Sequence, residues 1–167
     1  MLSISIFNNR LNKYWLVFIV SIVVYYWFTL SDIYTNQILK PVSSMYAILC
    51  SKILPLLGYP VEVQDYQLSG MGFSMTIANG CDALMPIVFL GLMITTCPYG
   101  EWRYKIKGLS LGFLIIASSN IIRLISLFII GHHSRFWFDF FHIQFWQAYF
   151  ILLSLLYFIY WLKNIRT

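Results

Sequence analysis

The chain has 167 residues, of which 60% are hydrophobic, 19% aromatic and only 10% charged, and its formal net charge is +5. About 25% of the residues in a soluble domain are charged, so this composition excludes an ordinary soluble protein and predicts an integral membrane protein in contact with lipids. The positive residues stand at the ends of apolar runs and form no patch interleaved with exposed aromatic residues, which favours membrane topology over nucleic-acid binding.

The first apolar run, residues 14–30, carries no charge and is just long enough to cross a hydrocarbon core of about 30 Å. No small-residue cleavage site follows it, so we expect an uncleaved membrane anchor. Arg10 and Lys13 precede this run and Asp32 follows it. The positive-inside rule therefore predicts a cytoplasmic amino terminus.

Residues 31–81 form the predicted outer-face segment. Apolar residues recur at helical spacing over residues 38–57, and the lysines and prolines within this range favour an amphipathic helix on the outer interface over a helix that crosses the membrane; the crossing alternative stays open. After Gly58 the apolar residues alternate. This predicts a small β-hairpin with strands at residues 61–64 and 73–77 and turn residues 69–72 between them.

Three further apolar runs predict spans at residues 82–97, 108–131 and 143–162, with an outer loop between the last two. The predicted fold is an all-α polytopic membrane protein of about four transmembrane helices with both termini cytoplasmic, and a single domain over residues 1–167. The basic residues assigned to the cytoplasmic side are Arg10, Lys13, Arg103, Lys105, Lys107, Lys163 and Arg166.

This topology brings Cys81, Arg123 and His142 to a common depth from three different segments. Cysteine acyl transfer needs a thiolate, a base that takes and returns its proton, and positive charge where an oxyanion develops. Arginine stays protonated, so the histidine must carry the proton. The sequence therefore predicts Cys81 as nucleophile, His142 as general acid and base, and Arg123 as the group that stabilises the oxyanion or positions the substrate.

Structural interpretations of the same residues stay open. A single membrane cysteine is often a small buried hydrophobic residue, and Arg123 can pair with Asp82 or Asp139 without any catalytic role. Asn120, one helical turn before Arg123, either orients the arginine or bonds across helices.

Neither a metal nor another cofactor is expected. The remaining cysteines, Cys50 and Cys97, form no C-x-x-C pair with Cys81, which argues against a zinc ribbon and against a quinone-linked thiol oxidoreductase. One group of loop residues has side chains that can ligate a metal, but its spacing matches no standard ligand motif. That group is His132, His133, Asp139 and His142.

Three local motifs resemble the exosortase/archaeosortase family. Gly80-Cys81-Asp82-Ala83-Leu84 is similar to the family's cysteine motif, with Asp82-Ala83 where Ser-Gly is common. Asn120-Ile121-Ile122-Arg123-Leu124 is similar to its arginine motif, and Phe141-His142 to the histidine that begins a late helix. The resemblance covers residues 38–162.

The resemblance implies a transpeptidase-like cysteine protease in the cytoplasmic membrane of a bacterium or archaeon, with its active site facing outward. Its partners would be exported proteins whose carboxy-terminal sorting tail consists of a short motif, a transmembrane helix and a basic segment. Cys81 would form a thioester and pass the acyl group to water or to a surface glycan or lipid. The rival hypothesis is a non-enzymatic assembly or transport subunit whose Arg123 pairs with a partner.

Overall fold

The computed structural model describes residues 2–165, and of residues 2–11 only the helical backbone. The chain is mostly helical with one small sheet. Two basic residues used in the topology prediction, Arg10 and Arg166, lie outside the residues whose side chains are described.

The amino-terminal part contains two helical segments joined at a bend of 76°. Helix α1 covers Leu2–Thr29, and helix α2, Asp32–Tyr34, continues through a π-helical turn at Thr35–Leu39 into α3, Lys40–Ile53, and a 3-10 turn at Leu54–Leu57. Ser31 starts α2 by accepting a hydrogen bond from the Tyr34 N–H at 3.2 Å. Residues 38–57, predicted as an amphipathic helix, are therefore helical. Their position on or across the membrane stays a prediction.

The sheet differs from the predicted hairpin, because it has three antiparallel strands in the order β1-β2-β3: Glu62–Gln64, Gln67–Gly70 and Phe73–Thr76. Residues 69 and 70, predicted as part of a turn, belong to the central strand. Burial of Leu68 stabilises this strand, since Leu68 is fully buried while its neighbours in the strand are more exposed. The two predicted strands each pair with β2 and not with each other.

Two helices in the described part of the chain are long and apolar enough to cross a membrane, and a third span results if the bent amino-terminal pair counts as one. The first is α5, Trp102–His133, and the second is the 29-residue helix Arg135–Lys163. Helix α4, Leu84–Thr96, has 13 residues and measures only about 20 Å. The structure thus shows two to three candidate spans, and the fourth stays a prediction.

Residues 102–107 and most of residues 132–142, which flank the predicted span 108–131, are helical. Helix α5 already begins at Trp102, so the basic residues 103–107 lie in its first turns, where the buried Lys105 donates hydrogen bonds to the carbonyls of Thr95 and Cys97. The predicted outer loop 132–142 contains only one extended residue, Ser134. Helix α6, Arg135–Phe140, follows it directly and continues through a π-helical turn, Phe141–Phe145, into α7, Trp146–Lys163.

Small residues allow α5 to approach its neighbours closely. A Cβ atom on Gly112 would collide with Leu90 of α4 and Tyr157 of α7, and a Cβ on Gly131 would collide with the ring of Phe73 in β3. Close approach at glycine is a common way of packing membrane helices. The sheet therefore rests against the carboxy-terminal end of α5, and the β3–α4 connection contacts the helix nearer its middle, at Asn120 and Arg123.

Candidate active site

Cys81 lies in the connection between β3 and α4, and two residues, Asp82 and Ala83, separate it from the helix. The sequence predicted a span that begins directly after Cys81, at residue 82, but α4 begins only at Leu84. Gly80 and Ala83 adopt positive φ angles of 90° and 58°, and the Cys81 N–H donates a hydrogen bond to the Ala78 carbonyl at 2.9 Å. This tight turn directs the thiol toward α5 and toward the π-helical turn Phe141–Phe145, and Cys81 is 6% exposed.

Polar side chains hold this turn from two directions. Asp82, which is 2% exposed, accepts hydrogen bonds from the N–H groups of Leu84 at 2.8 Å and Gly80 at 3.3 Å. Asn120 of α5 donates to the Cys81 carbonyl at 2.9 Å. The Asp82 carboxylate therefore organises the backbone around the cysteine.

Arg123 and His142 contact the thiol itself. His142 Nε2 is 2.9 Å from Cys81 Sγ, and the histidine ring stacks on Phe138 one helical turn earlier at a centroid distance of 5.4 Å. Arg123 donates from Nη1 to the Gly80 carbonyl at 2.9 Å, and its Nη2 lies 3.9 Å from Sγ. The structure thus brings together the three side chains that the sequence predicted at one depth.

In the part of the chain that the structure describes, Arg123 is held in place without a carboxylate partner. Among the described residues, the hydrogen bonds of Arg123 go to Gly80 and Cys81, its guanidinium lies 5.7 Å from the ring centroid of Phe150, and its Nε has no partner. It is 3% exposed. A buried cation beside a thiol can stabilise both a thiolate and an oxyanion.

Burial raises the pKa of the Cys81 thiol, the Arg123 cation opposes this effect, and the nearby Asp82 carboxylate adds to it. Burial also raises the pKa of the Asp82 carboxyl, while hydrogen bonds from Leu84 and Gly80 oppose that rise. A thiol with a raised pKa is mostly protonated at neutral pH. Attack on a carbonyl therefore needs a base in contact with Sγ, and His142 is in that position.

The other candidate residues lie elsewhere. Cys50 and Cys97 are buried free thiols with exposures of 0% and 4%. His132 and His133 pack against Tyr59 with centroid distances of 5.9 and 6.3 Å. Within the described range, no three His, Cys, Asp or Glu side chains form a group that could hold a metal ion.

Two contributors to the site were missed from the sequence. The Gly80 carbonyl binds Arg123, and the only signal was a glycine directly before the cysteine. Phe150 of α7, two turns after His142, lies over the guanidinium. In the sequence it stands among other aromatic residues, and its hydrophobicity does not distinguish it from them. Neither residue type identifies such a contact without the fold.

We expect Asp82→Asn to shift the pH midpoint of Cys81 alkylation to lower pH. The carboxylate charge disfavours the thiolate, so removing it lowers the thiol pKa in the folded protein. Loss of one acceptor for the backbone N–H groups should also cost about 1 kcal/mol of stability.

Iodoacetamide labelling rates between pH 6 and 10 measure the midpoint, and Glu62→Gln at an exposed position is the control. An unchanged or raised midpoint in Asp82→Asn would contradict the effect of the Asp82 carboxylate on the pKa of the thiol.

Apolar helices and a buried cluster of cysteine, histidine and arginine define a membrane protein whose site has the chemical groups for thiol acyl transfer. The chain matches the transmembrane exosortase family over residues 4–163, nearly its whole length, and it belongs to that family. The resemblance noted in the sequence is thereby confirmed. No curated protein and no solved structure matches the chain. Family membership supports a membrane transpeptidase-like role in general.

Proposed function

We propose that the chain is a membrane cysteine peptidase or transpeptidase that cleaves the carboxy-terminal sorting signals of exported proteins. The observation that supports it most strongly is the 2.9 Å contact between Cys81 Sγ and His142 Nε2, because a nucleophile and its base must be in hydrogen-bond reach. Membership of the exosortase family supports the same reaction class.

In the proposed reaction, His142 takes the thiol proton as Cys81 Sγ attacks the scissile carbonyl. The tetrahedral oxyanion forms near Arg123, whose buried guanidinium stabilises it. The C–N bond then breaks, His142 returns the proton to the leaving amine, and a thioester remains on Sγ. Water, or an amine or hydroxyl of a surface glycan or lipid, attacks the thioester, and the thiol regains its proton.

Asp82 and Asn120 act as supporting residues in this proposal. Each binds backbone groups of the turn, Asp82 through its carboxylate and Asn120 through its amide. They keep Sγ in line with His142 and Arg123 without touching the thiol themselves.

The proposed substrate approach is lateral, from the lipid. A groove of about 340 Å³ runs between α4 and α7, with mostly apolar walls that include Met85, Phe89 and Ile151, and with Gly80 and Arg123 among its lining residues. An apolar helix of a sorting tail that lay along this groove would bring its cut site to the depth of Cys81. The proposed location is the cytoplasmic membrane, with this site on the outer side.

The rival function, a non-enzymatic subunit whose arginine pairs with a partner, has less support from the geometry. Arg123 is 3% exposed and directed at the cysteine turn. The guanidinium is therefore bound by groups of this chain, whereas a charge that recruits a partner would be free of such contacts.

Co-expression with an exported protein that carries a tripartite tail tests the function. We expect a shortened product whose new carboxy terminus lies at or before the tail's transmembrane helix, and no such product from a tail whose transmembrane helix is deleted. Immunoblotting and mass spectrometry of the product give the cut site. If tail proteins from the same genome stay full length with and without the chain, the enzyme proposal is wrong and the subunit hypothesis gains.

A further inference from the structure

A second cavity, of about 280 Å³, adjoins the candidate site on the side of the sheet. All four residues of β3, Phe73–Thr76, line it together with Cys81 and His142, and Leu124, Arg135 and Phe138 complete its wall. Successive side chains of a strand point to opposite faces. A cavity that touches four consecutive residues therefore runs along the edge of the strand.

The strand β3 is an edge of the sheet, because among the residues that the structure describes it pairs with β2 alone. The Ile77 N–H donates to the Tyr66 carbonyl at 3.0 Å, and in an antiparallel ladder such bonded pairs recur every second residue. Met75, opposite Leu68, therefore directs its backbone groups to β2. Ser74 and Thr76 direct theirs to the free edge.

These edge groups are open. In the described structure, the Thr76 carbonyl accepts a hydrogen bond from the Ala78 N–H at 3.1 Å. The other three backbone groups, the N–H and C=O of Ser74 and the N–H of Thr76, have no hydrogen-bond partner there. Both residues are exposed. An unpaired strand edge offers its N–H and C=O groups to another extended chain.

We propose that an extended segment of the substrate pairs with β3 as a fourth strand, bound through the N–H and C=O of Ser74 and the N–H of Thr76. This inference rests on the proposed function and adds a subsite to it: an extended peptide recognised through its main chain. Cys81 lines the same cavity, so the paired segment ends at the thiol. Recognition of this kind is the strand addition used by several peptide-binding domains.

The variant Ser74→Pro tests the pairing, since proline removes the outward N–H and is tolerated on a strand edge. Two controls match it. Ser74→Ala removes the hydroxyl, which contacts Gln67 and Ser69, and keeps the N–H. Val63→Pro removes the corresponding outward N–H from β1, the opposite edge of the sheet, since β2 directs Gln67 and Ser69 to β1.

The probe is acetyl-tetra-alanine vinyl sulfone, and methyl vinyl sulfone is the reference with the same reactive group. Both add the Cys81 thiol across their double bond, so one S–C bond forms, the thiol proton ends on carbon and nothing leaves. Labelling is followed by mass spectrometry on the full chain in detergent. Alanine side chains are small, so any advantage of the peptide over the reference reports main-chain binding.

We expect the peptide to label wild-type Cys81 at least about tenfold faster than the reference, as two or three hydrogen bonds would give. Ser74→Pro should abolish this advantage, while Ser74→Ala and Val63→Pro keep it. With the wild-type protein, N-methylation of the alanines whose N–H groups point to β3 should also abolish the advantage of the peptide. This result tests the strand pairing even if Ser74→Pro disturbs folding.

Equal labelling by the parent and N-methylated peptides, or an advantage that survives in a folded Ser74→Pro protein, would overturn the strand pairing and leave the proposed function intact. No reaction of wild-type Cys81 with methyl vinyl sulfone would instead count against the nucleophile and hence against the proposed function.

Discussion

Cys81→Ala is expected to reduce cleavage of a sorting-tail substrate by at least about 10³-fold, the scale of losing a nucleophile in a covalent mechanism. The alanine removes Sγ and retains a small apolar side chain in a buried position. The backbone bonds from Asn120 to residue 81 and from Arg123 to Gly80 do not involve the thiol. The loss should therefore appear in the rate and not in the amount of folded protein.

The chain contains its own controls for this substitution. Cys50 and Cys97 are also free and buried, so Cys50→Ala and Cys97→Ala make the same chemical change away from the site. Both should cleave within about threefold of wild type, as expected for changes outside the machinery. Wild-type cleavage by folded Cys81→Ala would refute the nucleophile assignment.

Arg123→Lys is expected to lower kcat by about 10²- to 10³-fold with a smaller effect on KM, the cost of losing an oxyanion donor. Arginine donates to the Gly80 carbonyl through one nitrogen while a second lies 3.9 Å from Sγ. Lysine has a single nitrogen and cannot occupy both positions. Steady-state kinetics with a purified tail substrate separate the two constants.

Arg103→Lys is the matched control, because Arg103 is exposed in the first turn of α5. It should leave both constants unchanged. If Arg123 acted only as a positive charge, lysine would replace it without loss, because a simple charge pair tolerates lysine. Near-wild-type activity of Arg123→Lys would mean that a positive charge alone is required. The simultaneous contacts with the Gly80 carbonyl and Cys81 Sγ would then not be needed.

The sequence predicted the membrane class because composition alone decides that question. It also located the elements that carry the site, since Arg123 interrupts an apolar run and Cys81 precedes one. An apolar run marks the part of a helix that can lie in lipid, and it does not show how far the helix continues into its flanks. Lysine and arginine are good helix formers, so α5 begins at Trp102, earlier than predicted, and includes the basic residues 103–107. Residues 135–142 are helical as well.

Strand pairing was harder to predict. The segment Gln67–Gly70 contains serine and glycine, residue types that signal a turn, yet Leu68 is buried and makes the segment the central strand. The role of Asp82 could not be read from its type either. A carboxylate beside a nucleophile suggests an ion pair, but this one accepts hydrogen bonds from backbone N–H groups.

The most direct test of the account is a search for the thioester on Cys81. A purified tail substrate is mixed with excess wild-type protein, quenched in acid within one turnover and analysed by peptide mass spectrometry, with and without neutral hydroxylamine. We predict that the peptide containing Cys81 carries the acyl fragment of the substrate and that hydroxylamine removes it. Cleaved substrate with Cys81 unmodified at every time point, or an adduct on another residue, would contradict the central claim.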